Sequence, residues 1–229
     1  MTSMCVIPAR RGSKRLHEKV LRTVDGDTLL TRAIRVALGA ACFELVTVST
    51  DDEHIAEQAL AEGVDVRVRP PELADDTVGV AEVVLDACRA LPEGRLDKRD
   101  PITCLSPVYP LLTAASVRAA HERFTSSEAQ FLSSVVPTDP HHFHWALKPL
   151  PGGYAEMYFG DEFLRDRAFL PPVLSPTGAI KMARRQALER RGYFFGPELV
   201  AFELSRVESH YVADELDLSF ARFLAEGGP

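Results

Sequence analysis

The sequence has no apolar run that approaches the roughly 20 residues needed to cross a bilayer. Its longest apolar runs, at residues 45–48 and 131–136, have only the length of a β-strand. No apolar stretch of signal-peptide length precedes the basic cluster near the first residue. These absences predict a cytoplasmic protein that does not bind a membrane. The 229 residues, 46% of them hydrophobic, predict one domain with a substantial core.

The four cysteines include no CxxC pair, and each is flanked by apolar residues. This pattern predicts reduced thiols in the core rather than disulfides or a zinc site. Positive charge is also scarce overall, because the net charge is −7. Proteins that bind nucleic acid usually present a basic face, so no nucleic-acid partner is expected.

Positive charge is nevertheless concentrated in one segment. Residues 10–22 contain six lysine and arginine side chains and one acidic side chain, Glu18. The segment follows a predicted strand at residues 4–8 and begins ARRGSKRLHEK. A triphosphate requires backbone N–H groups in a concave loop, small residues that allow close approach, and fixed cations. The segment supplies all three without the Walker motif GxxxxGK[ST]. Spacing alone leaves a solvated basic turn open as the alternative.

Short apolar strands alternate with helical patterns about four times up to residue 136. The predicted strands lie at residues 4–8, 45–49, 64–68, 101–105 and 131–136, and the predicted helices at 28–40, 53–62, 77–91 and 113–123. This alternation predicts a three-layer α/β fold with a mostly parallel, twisted, Rossmann-like sheet. Ligands bind such sheets at the carboxyl ends of the strands. The loops predicted at that edge are residues 9–19, 49–52, 69–77 and 106–112.

The alternation stops between residues 137 and 177, in a segment rich in proline, histidine and aromatic residues. A segment of this length inside one domain is usually a lid or an interaction arm. We therefore expect residues 1–229 to form a single domain with an arm at about 140–172. Further strands are predicted at 178–182 and 199–204, and further helices at 183–191 and 214–225.

A family resemblance adds to this interpretation. The segment IPARRGSKRLHEKVL resembles the start of the CMP-acylneuraminate synthetases, which typically read IPARxGSKxxPxKN. The resemblance continues in the same order through VSTDDEHIAE, GVDVRVRPPELADDT, LSPVYPLLTAASVRAA, LPPVLSPTGAIKM and GYFFGPELVAFEL. It covers nearly the whole chain and implies the nucleotide-diphospho-sugar transferase fold.

The resemblance also implies a reaction. The anomeric hydroxyl of a 2-keto-3-deoxy sugar acid attacks the α-phosphate of CTP, and pyrophosphate leaves. Magnesium usually neutralises the phosphates in this family. Family members form homodimers that exchange their arms, so a homodimer is expected here.

The family's functional positions are transferred to this sequence by motif. Arg10, Lys14 and Lys19 are the implied catalytic cations. The implied CTP-binding residues are Ala9, Arg10, Gly12, Ser13, Lys14, Lys19 and Arg69, with Arg69 approaching the base. The implied acceptor residues are Lys148, Arg167, Thr177, Lys181, Phe194 and Phe195, with Arg167 reaching the neighbouring subunit's acceptor. Ordinary core packing is an equal alternative for the two phenylalanines.

The departures from the family pattern cluster at the implied active site. The family's Asp-Ile-Asp, which supplies two magnesium ligands, reads Tyr211-Val212-Ala213 here. Magnesium prefers carboxylate and phosphate oxygens, so the metal site becomes an open question. Asp214, Asp217 and Asp51 are the substitute candidates, although Asp51 with Asp52, and Asp214 with Asp217, also fit helix N-termini. Lys181, where the family has tyrosine, is an alternative cation for phosphate charge.

Another departure lies in the family's motif Gln-Pro-Thr-Ser-Pro-Leu-Arg, where Ser106 replaces the glutamine and Leu112 replaces the arginine. Near the expected position of the base, the sequence has Val20 and Val80. Two accounts follow from this pattern. One is an active cytidylyltransferase with an altered acidic acceptor. The other is a degenerate paralogue that binds a nucleotide or acidic ligand, or that partners an active enzyme. A weaker hypothesis places a metal at His141, His142, His144 and Asp139, although the spacing favours a polar lid.

Overall fold

A computed structural model describes residues 1–13, 15–75, 77–161, 164 and 170–227. Strands and helices alternate along these residues as the sequence predicts. The strands are β1 (Met4–Pro8), β2 (Thr23–Val24), β3 (Asp27–Thr28), β4 (Leu45–Thr50), β5 (Asp65–Val68), β6 (Pro101–Leu105), β7 (Phe131–Thr138), β8 (Leu147–Pro149), β9 (Ala155–Met157), β10 (Val173–Arg184) and β11 (Leu199–Glu203). The helices are α1 (Leu29–Ala40), α2 (Glu53–Ala61), α3 (Val80–Arg89), α4 (Ala114–Thr125), α5 (Pro140–His144), α6 (Arg185–Arg191) and α7 (Glu215–Ala225).

Seven strands form the central sheet in the order β11-β7-β10-β6-β1-β4-β5. β1 pairs in parallel with β4 and β6, β4 with β5, and β7 with β11. β10 is antiparallel to both of its neighbours, β6 and β7. The prediction of a mostly parallel α/β sheet is therefore confirmed. The carboxyl ends of β1, β4 and β6 meet at one edge, where parallel sheets bind their ligands.

The side chains of strand β1 show that the sheet is covered on both faces. Its side chains alternate between two core clusters, with Cys5 and Ile7 in one cluster and Met4 and Val6 in the other. All four side chains are fully buried. A strand buried on both faces appears in the sequence as a continuous apolar run, as MCVIP does.

Helix starts follow short polar signals in the sequence. Thr28 caps α1 by accepting a hydrogen bond from the Thr31 amide at 3.0 Å. Thr113 caps α4 through the Ser116 amide in the same way. Each bond satisfies an amide that lacks a partner inside the helix. The sequence-based starts of both helices are confirmed.

The segment between residues 137 and 177 differs from the expectation at its end. β10 begins at Val173 and pairs with β7, so residues 173–177 belong to the sheet. Before this strand, β8 and β9 form a separate two-stranded sheet. Several large apolar side chains of the preceding segment are exposed, among them Leu147, Tyr154 and Tyr158. No helix within the described part of the chain is long and apolar enough to cross a membrane.

Candidate active site

The basic loop leaves the sheet directly after β1 and borders a cleft. The Ala9 amide donates to the Ser49 carbonyl at 2.9 Å, which fixes the start of the loop against β4. The cleft has a volume of about 190 Å³. Its lining consists of Pro8, Arg10, Gly12, Ser13, Lys19, Val20, Ser106, Pro107 and Val108. We call this space the loop cleft. Lys14, which the sequence also predicts here, lies outside the described residues.

A second cleft of about 230 Å³ adjoins the first. It is lined by Pro8, Arg10, Arg69, Leu73, Asp75, Val78, Val80 and Val83. We call it the valine cleft. Pro8 and Arg10 border both clefts, so Arg10 stands where the two spaces meet. Val80, which replaces the family's serine near the base, does lie in the wall of the valine cleft.

Arg69 is built into the wall of the valine cleft. It is only 6% exposed, and its guanidinium donates to the carbonyls of Ser49 at 2.6 Å and Ala9 at 3.3 Å. Burial lowers the pKa of Arg69, although the side chain stays charged because an arginine pKa is so high. Arg69 therefore joins the end of β4 to the start of the basic loop.

Lys19 lines the loop cleft and is 7% exposed. Its Nζ atom donates to the Val212 carbonyl at 2.9 Å and lies 5.2 Å from the centre of the Tyr211 ring. Burial, followed by the charge of Arg15, lowers the pKa of Lys19. Asp217 and Asp214 oppose this shift, which places their charges near the ammonium group. Lys19 thus brings a buried cation to the cleft and anchors residues just before α7.

Tyr211 and Tyr109 occupy the space next to Lys19. Their ring centres are 5.5 Å apart, and Arg15 approaches the Tyr211 hydroxyl at 3.5 Å. Burial, and then the neighbouring Tyr211, raises the pKa of Tyr109 to about 12. At position 211 the family resemblance implies a carboxylate that binds metal. Here that position has a tyrosine whose ring contacts Lys19.

Asp214 and Asp217 form a capping box at the start of α7. Asp214 Oδ1 accepts from the amides of Leu216 and Asp217, at 3.0 and 3.1 Å. Asp217 Oδ2 accepts from the amides of Ala213 and Asp214, at 2.8 and 3.3 Å. The prediction that these residues cap the helix is confirmed.

The two candidate magnesium ligands at the start of α7 already have partners within the protein. Both candidate carboxylates at α7 already bind backbone amides, and Lys19 places a cation beside them. Within the described ranges, no three histidine, cysteine, aspartate or glutamate side chains are grouped so that they can hold a metal ion.

Asp51 and Asp52 follow β4. The Asp52 side chain caps α2 through the Ile55 amide at 3.0 Å and pairs with Arg11 at 3.3 Å. Asp51 is exposed, and its charge raises the pKa of Arg69 against the effect of burial. The capping alternative is therefore confirmed for Asp52, whereas Asp51 presents its carboxylate to solvent near the two clefts.

Thr177, Gly178 and Lys181 lie at an irregularity of β10. The pairing of β10 with β7 shifts between Pro176 and Lys181. Thr177 Oγ1 lies 2.7 Å from Ser134 Oγ, so its hydroxyl is engaged with the sheet. Gly178 has a φ of 82°, a backbone conformation that residues with a side chain rarely adopt. Glycine therefore allows the chain to turn at this position. Lys181 is half-buried after the turn.

The remaining acceptor residues are not gathered at the two clefts. Lys148 is exposed on β8 and pairs with Glu156 of β9 at 3.3 Å. Phe194 is 2% exposed and belongs to the core cluster that contains Met4 and Val6, so the core alternative holds for this residue. Phe195 is half-buried. Arg167 lies outside the described residues.

The histidines near residue 142 are arranged around α5. Asp139 caps this helix through the His141 amide at 3.0 Å and lies 3.9 Å from His142 Nδ1. His144 is buried, with Nε2 3.3 Å from the Pro171 carbonyl. These contacts are those of a folded polar segment, and its role as a lid stays a prediction.

Sequence reasoning missed several contributors to the two clefts. Asp75 lines the valine cleft, and the Ser49 and Val212 carbonyls hold the two buried cations. Val212 and Lys19 are 193 residues apart. A backbone carbonyl carries no residue-type signal, so no pattern in the sequence indicates such a contact.

The fold and the clefts can now be compared with known proteins. A solved structure of CMP:2-keto-3-deoxy-manno-octonic acid synthetase complexed with CTP superposes with a TM-score of 0.75 over 99% of both chains. The sequence identity is 16%. A 4-diphosphocytidyl-2C-methyl-D-erythritol synthase structure gives a TM-score of 0.67 at 14% identity, over 97% of this chain and 98% of that chain. The chain therefore has the α/β fold of these nucleotidyltransferases.

Sequence comparison defines the family. A family model described as Cytidylyltransferase matches residues 4–143, and the chain belongs to this family of enzymes. A pseudaminic acid cytidylyltransferase of Campylobacter jejuni is 28% identical, over 98% of this chain and 96% of the relative. A CMP-N,N'-diacetyllegionaminic acid synthase of Legionella pneumophila is 36% identical over 53% of each chain. An N-acylneuraminate cytidylyltransferase of Streptococcus agalactiae is 26% identical, over 90% of this chain and 49% of the relative.

Proposed function

We propose that the protein transfers CMP from CTP to a hydroxyl group of an acidic acceptor, a 2-keto-3-deoxy sugar acid or a similar compound. The observation that carries this proposal is the position of Arg10 between two adjoining clefts at the end of β1. A nucleoside triphosphate needs one space for its base and another for its phosphates. The names of the relatives, which act on acidic sugars, support the acceptor class.

In this proposal the base occupies the valine cleft and the triphosphate occupies the loop cleft. The apolar walls of Val78, Val80 and Val83 suit a planar base. Gly12 and Ser13 allow the phosphates to approach the backbone of the loop. The roles of Ala9, Gly12, Ser13, Lys14 and Arg69 in binding CTP stay predictions.

The chemistry requires positioning and compensation of charge. The acceptor oxygen forms a bond to the α-phosphorus, the bond from that phosphorus to the β-phosphate oxygen breaks, and the hydroxyl proton passes to solvent. Negative charge grows on the departing pyrophosphate. Arg10 and Lys19 border the cleft where this charge develops, and fixed cations there lower the barrier without having to reorganise.

Magnesium enters this proposal as part of the substrate. Because the carboxylates of Asp214 and Asp217 already bind backbone amides, we propose that the ion arrives bound to the phosphates of CTP. Magnesium usually keeps several waters and binds through substrate phosphates together with one or two carboxylates, for which Asp51 is the exposed candidate near the clefts. In this arrangement the side chain that borders the phosphates in the loop cleft is Lys19 and not a carboxylate of the protein.

The homodimer is also proposed. The β8–β9 hairpin is not joined to the central sheet, and it exposes Leu147 and Tyr154, which are 61% and 75% exposed. Exposed apolar side chains on a hairpin suit burial against a second copy. Sedimentation velocity is expected to show a dimer, and Leu147→Asp with Tyr154→Asp should convert it to a monomer. A monomeric wild-type protein at micromolar concentration would contradict the proposal.

The test of the main proposal combines binding and turnover. Calorimetry should show CTP binding that is stronger with magnesium than with EDTA, and UTP should bind more weakly. Pyrophosphate release should then appear with one member of a panel of 2-keto-3-deoxy sugar acids. Absence of CTP binding under both conditions would overturn the proposal.

The same measurements separate a second candidate function. The absence of acidic residues at positions 211 and 213 favours a degenerate paralogue that binds a nucleotide without turnover. CTP binding with no pyrophosphate release across the panel would support that candidate. Release with any acceptor would exclude it.

A further inference from the structure

We propose that Lys181 and Tyr109 form a subsite for the acidic group of the acceptor, within the same chain and next to the loop cleft. The inference rests on the proposed cytidylyl transfer and specifies its acceptor. The acceptor is a hydroxy compound whose carboxylate, phosphate or phosphonate lies close to the hydroxyl that attacks CTP. The family resemblance already implies that Lys181 contacts the acceptor, as it does for the arm residues Lys148 and Arg167. The inference adds Tyr109 as the partner of Lys181 and an oxyanion as the group that these two side chains bind.

The two polar side chains converge on one point of the fold. A methyl group built on Gly178 would lie 3.4 Å from Lys181 Nζ and 3.5 Å from Tyr109 Oη. The turn at Gly178 therefore leaves a space that both groups border. The Ser106 amide donates to the Ala179 carbonyl at 3.0 Å, which holds this turn against the carboxyl end of β6. The arrangement is thus part of the sheet edge where ligands are expected.

Neither group is satisfied by the protein. Within the part of the chain that the structure describes, Lys181 Nζ has no ion-pair partner and Tyr109 Oη has no hydrogen-bond partner. Both residues are half-buried. An ammonium group that no carboxylate of the protein neutralises is available to an oxyanion, and hydrogen bonds between such charged groups are short and strong.

Tyr109 is suited to donate a hydrogen bond. Its pKa, raised to about 12 by burial and then by Tyr211, keeps the hydroxyl protonated at any physiological pH. A protonated phenol donates to an anion, whereas a phenolate repels one. Hydrogen bonds to a charged oxygen are stronger than those between neutral groups. Lysine and tyrosine together therefore select an anionic group over a neutral hydroxyl.

A continuous line of contacts joins this subsite to the loop cleft. The Tyr109 ring contacts Tyr211, and Tyr211 contacts Lys19. The residues just before Tyr109, from Ser106 to Val108, line the loop cleft itself. An acceptor held by its oxyanion at Lys181 therefore lies beside the proposed phosphate position.

The test uses methylphosphonate and acetate as probes, since the first carries only a phosphonate and the second only a carboxylate. Each is titrated by calorimetry into the full-length protein saturated with CTP, so that the loop cleft is already filled, and again without CTP. Lys181→Met should weaken binding of the preferred probe about 10-fold or more, and Tyr109→Phe about 3-fold to 10-fold. Lys181→Arg should retain most of the affinity. Lys98→Met, which changes an exposed lysine outside both clefts, should behave as wild type.

The outcomes distinguish this inference from the proposed function. CTP affinity is measured for every variant, so that a loss of probe binding can be separated from a loss of CTP binding; the exposed-lysine control Lys98→Met should leave both unchanged. If the wild type does not bind CTP but Lys181→Met still weakens binding of the probe, cytidylyl transfer is rejected and the subsite is retained. No probe binding in the wild type, or equal binding by wild type and Lys181→Met, would overturn the subsite. Circular dichroism checks folding, and Lys181→Gln replaces Lys181→Met if that variant is unfolded.

Discussion

The Arg10→Ala variant is expected to bind CTP about 10- to 150-fold more weakly than the wild type. Arg10 is the charged side chain that borders both the loop cleft and the valine cleft. In the proposed complex it lies where the base and the phosphates meet. Removal of a cation that binds phosphate typically costs about 1.5–3 kcal/mol, which gives the stated range. Isothermal calorimetry with CTP and magnesium measures the change directly.

Arg11 supplies the matched control, because it is adjacent in sequence and has the same side chain. Its guanidinium pairs with Glu18 at 3.0 Å and Asp52 at 3.3 Å, and its side chain is 61% exposed. Arg11→Ala should leave CTP affinity within about 2-fold of wild type, since exposed ion pairs contribute little. Equal losses in the two variants would indicate that the general charge of the loop, and not the position of Arg10, determines binding.

The Phe194→Ala variant is expected to lose about 3–5 kcal/mol of unfolding free energy without a specific loss of acceptor affinity. Phe194 is 2% exposed and shares a core cluster with Phe131 and Leu188. Truncation of a buried phenylalanine removes its transfer energy and leaves a cavity. Urea denaturation followed by circular dichroism measures this loss, provided that the slope with urea is unchanged.

Phe195→Ala is the control at the next position. Phe195 is half-buried, so its truncation should cost about 1–2 kcal/mol. The comparison also tests the sugar-pocket alternative for the phenylalanine pair. If Phe194→Ala were as stable as wild type but raised the KM of the acceptor, Phe194 would line a pocket and its assignment to the core would be wrong.

The starts of the helices show how much of the structure a short-range sequence pattern reveals. Thr28, Thr113 and Asp214 each bind an amide two or three residues ahead in the chain. The partners in such bonds are fixed by sequence separation, so the residue type and its place before a helical pattern are sufficient. The same reasoning predicted the loop after β1, because a short basic segment after a buried strand already contains its small and charged residues.

The family resemblance extended this local knowledge to the reaction class, which the family match confirms at the level of cytidylyltransferase. It did not determine how the altered positions are used. The sequence shows that Tyr211 stands where a carboxylate is expected. Only the structure shows that this tyrosine lies against Lys19 and Tyr109.

The sequence by itself therefore determined the alternation of strands and helices, the caps and the basic loop, since each depends on neighbours within a few residues. The tertiary structure decided the antiparallel insertion of β10, the burial of Phe194, the contact of Lys19 with the Val212 carbonyl, and the convergence of Lys181 with Tyr109. These features join segments that are far apart in the chain. Their partners are selected by packing across the sheet, where a backbone carbonyl or a half-buried tyrosine leaves no periodic trace in the sequence.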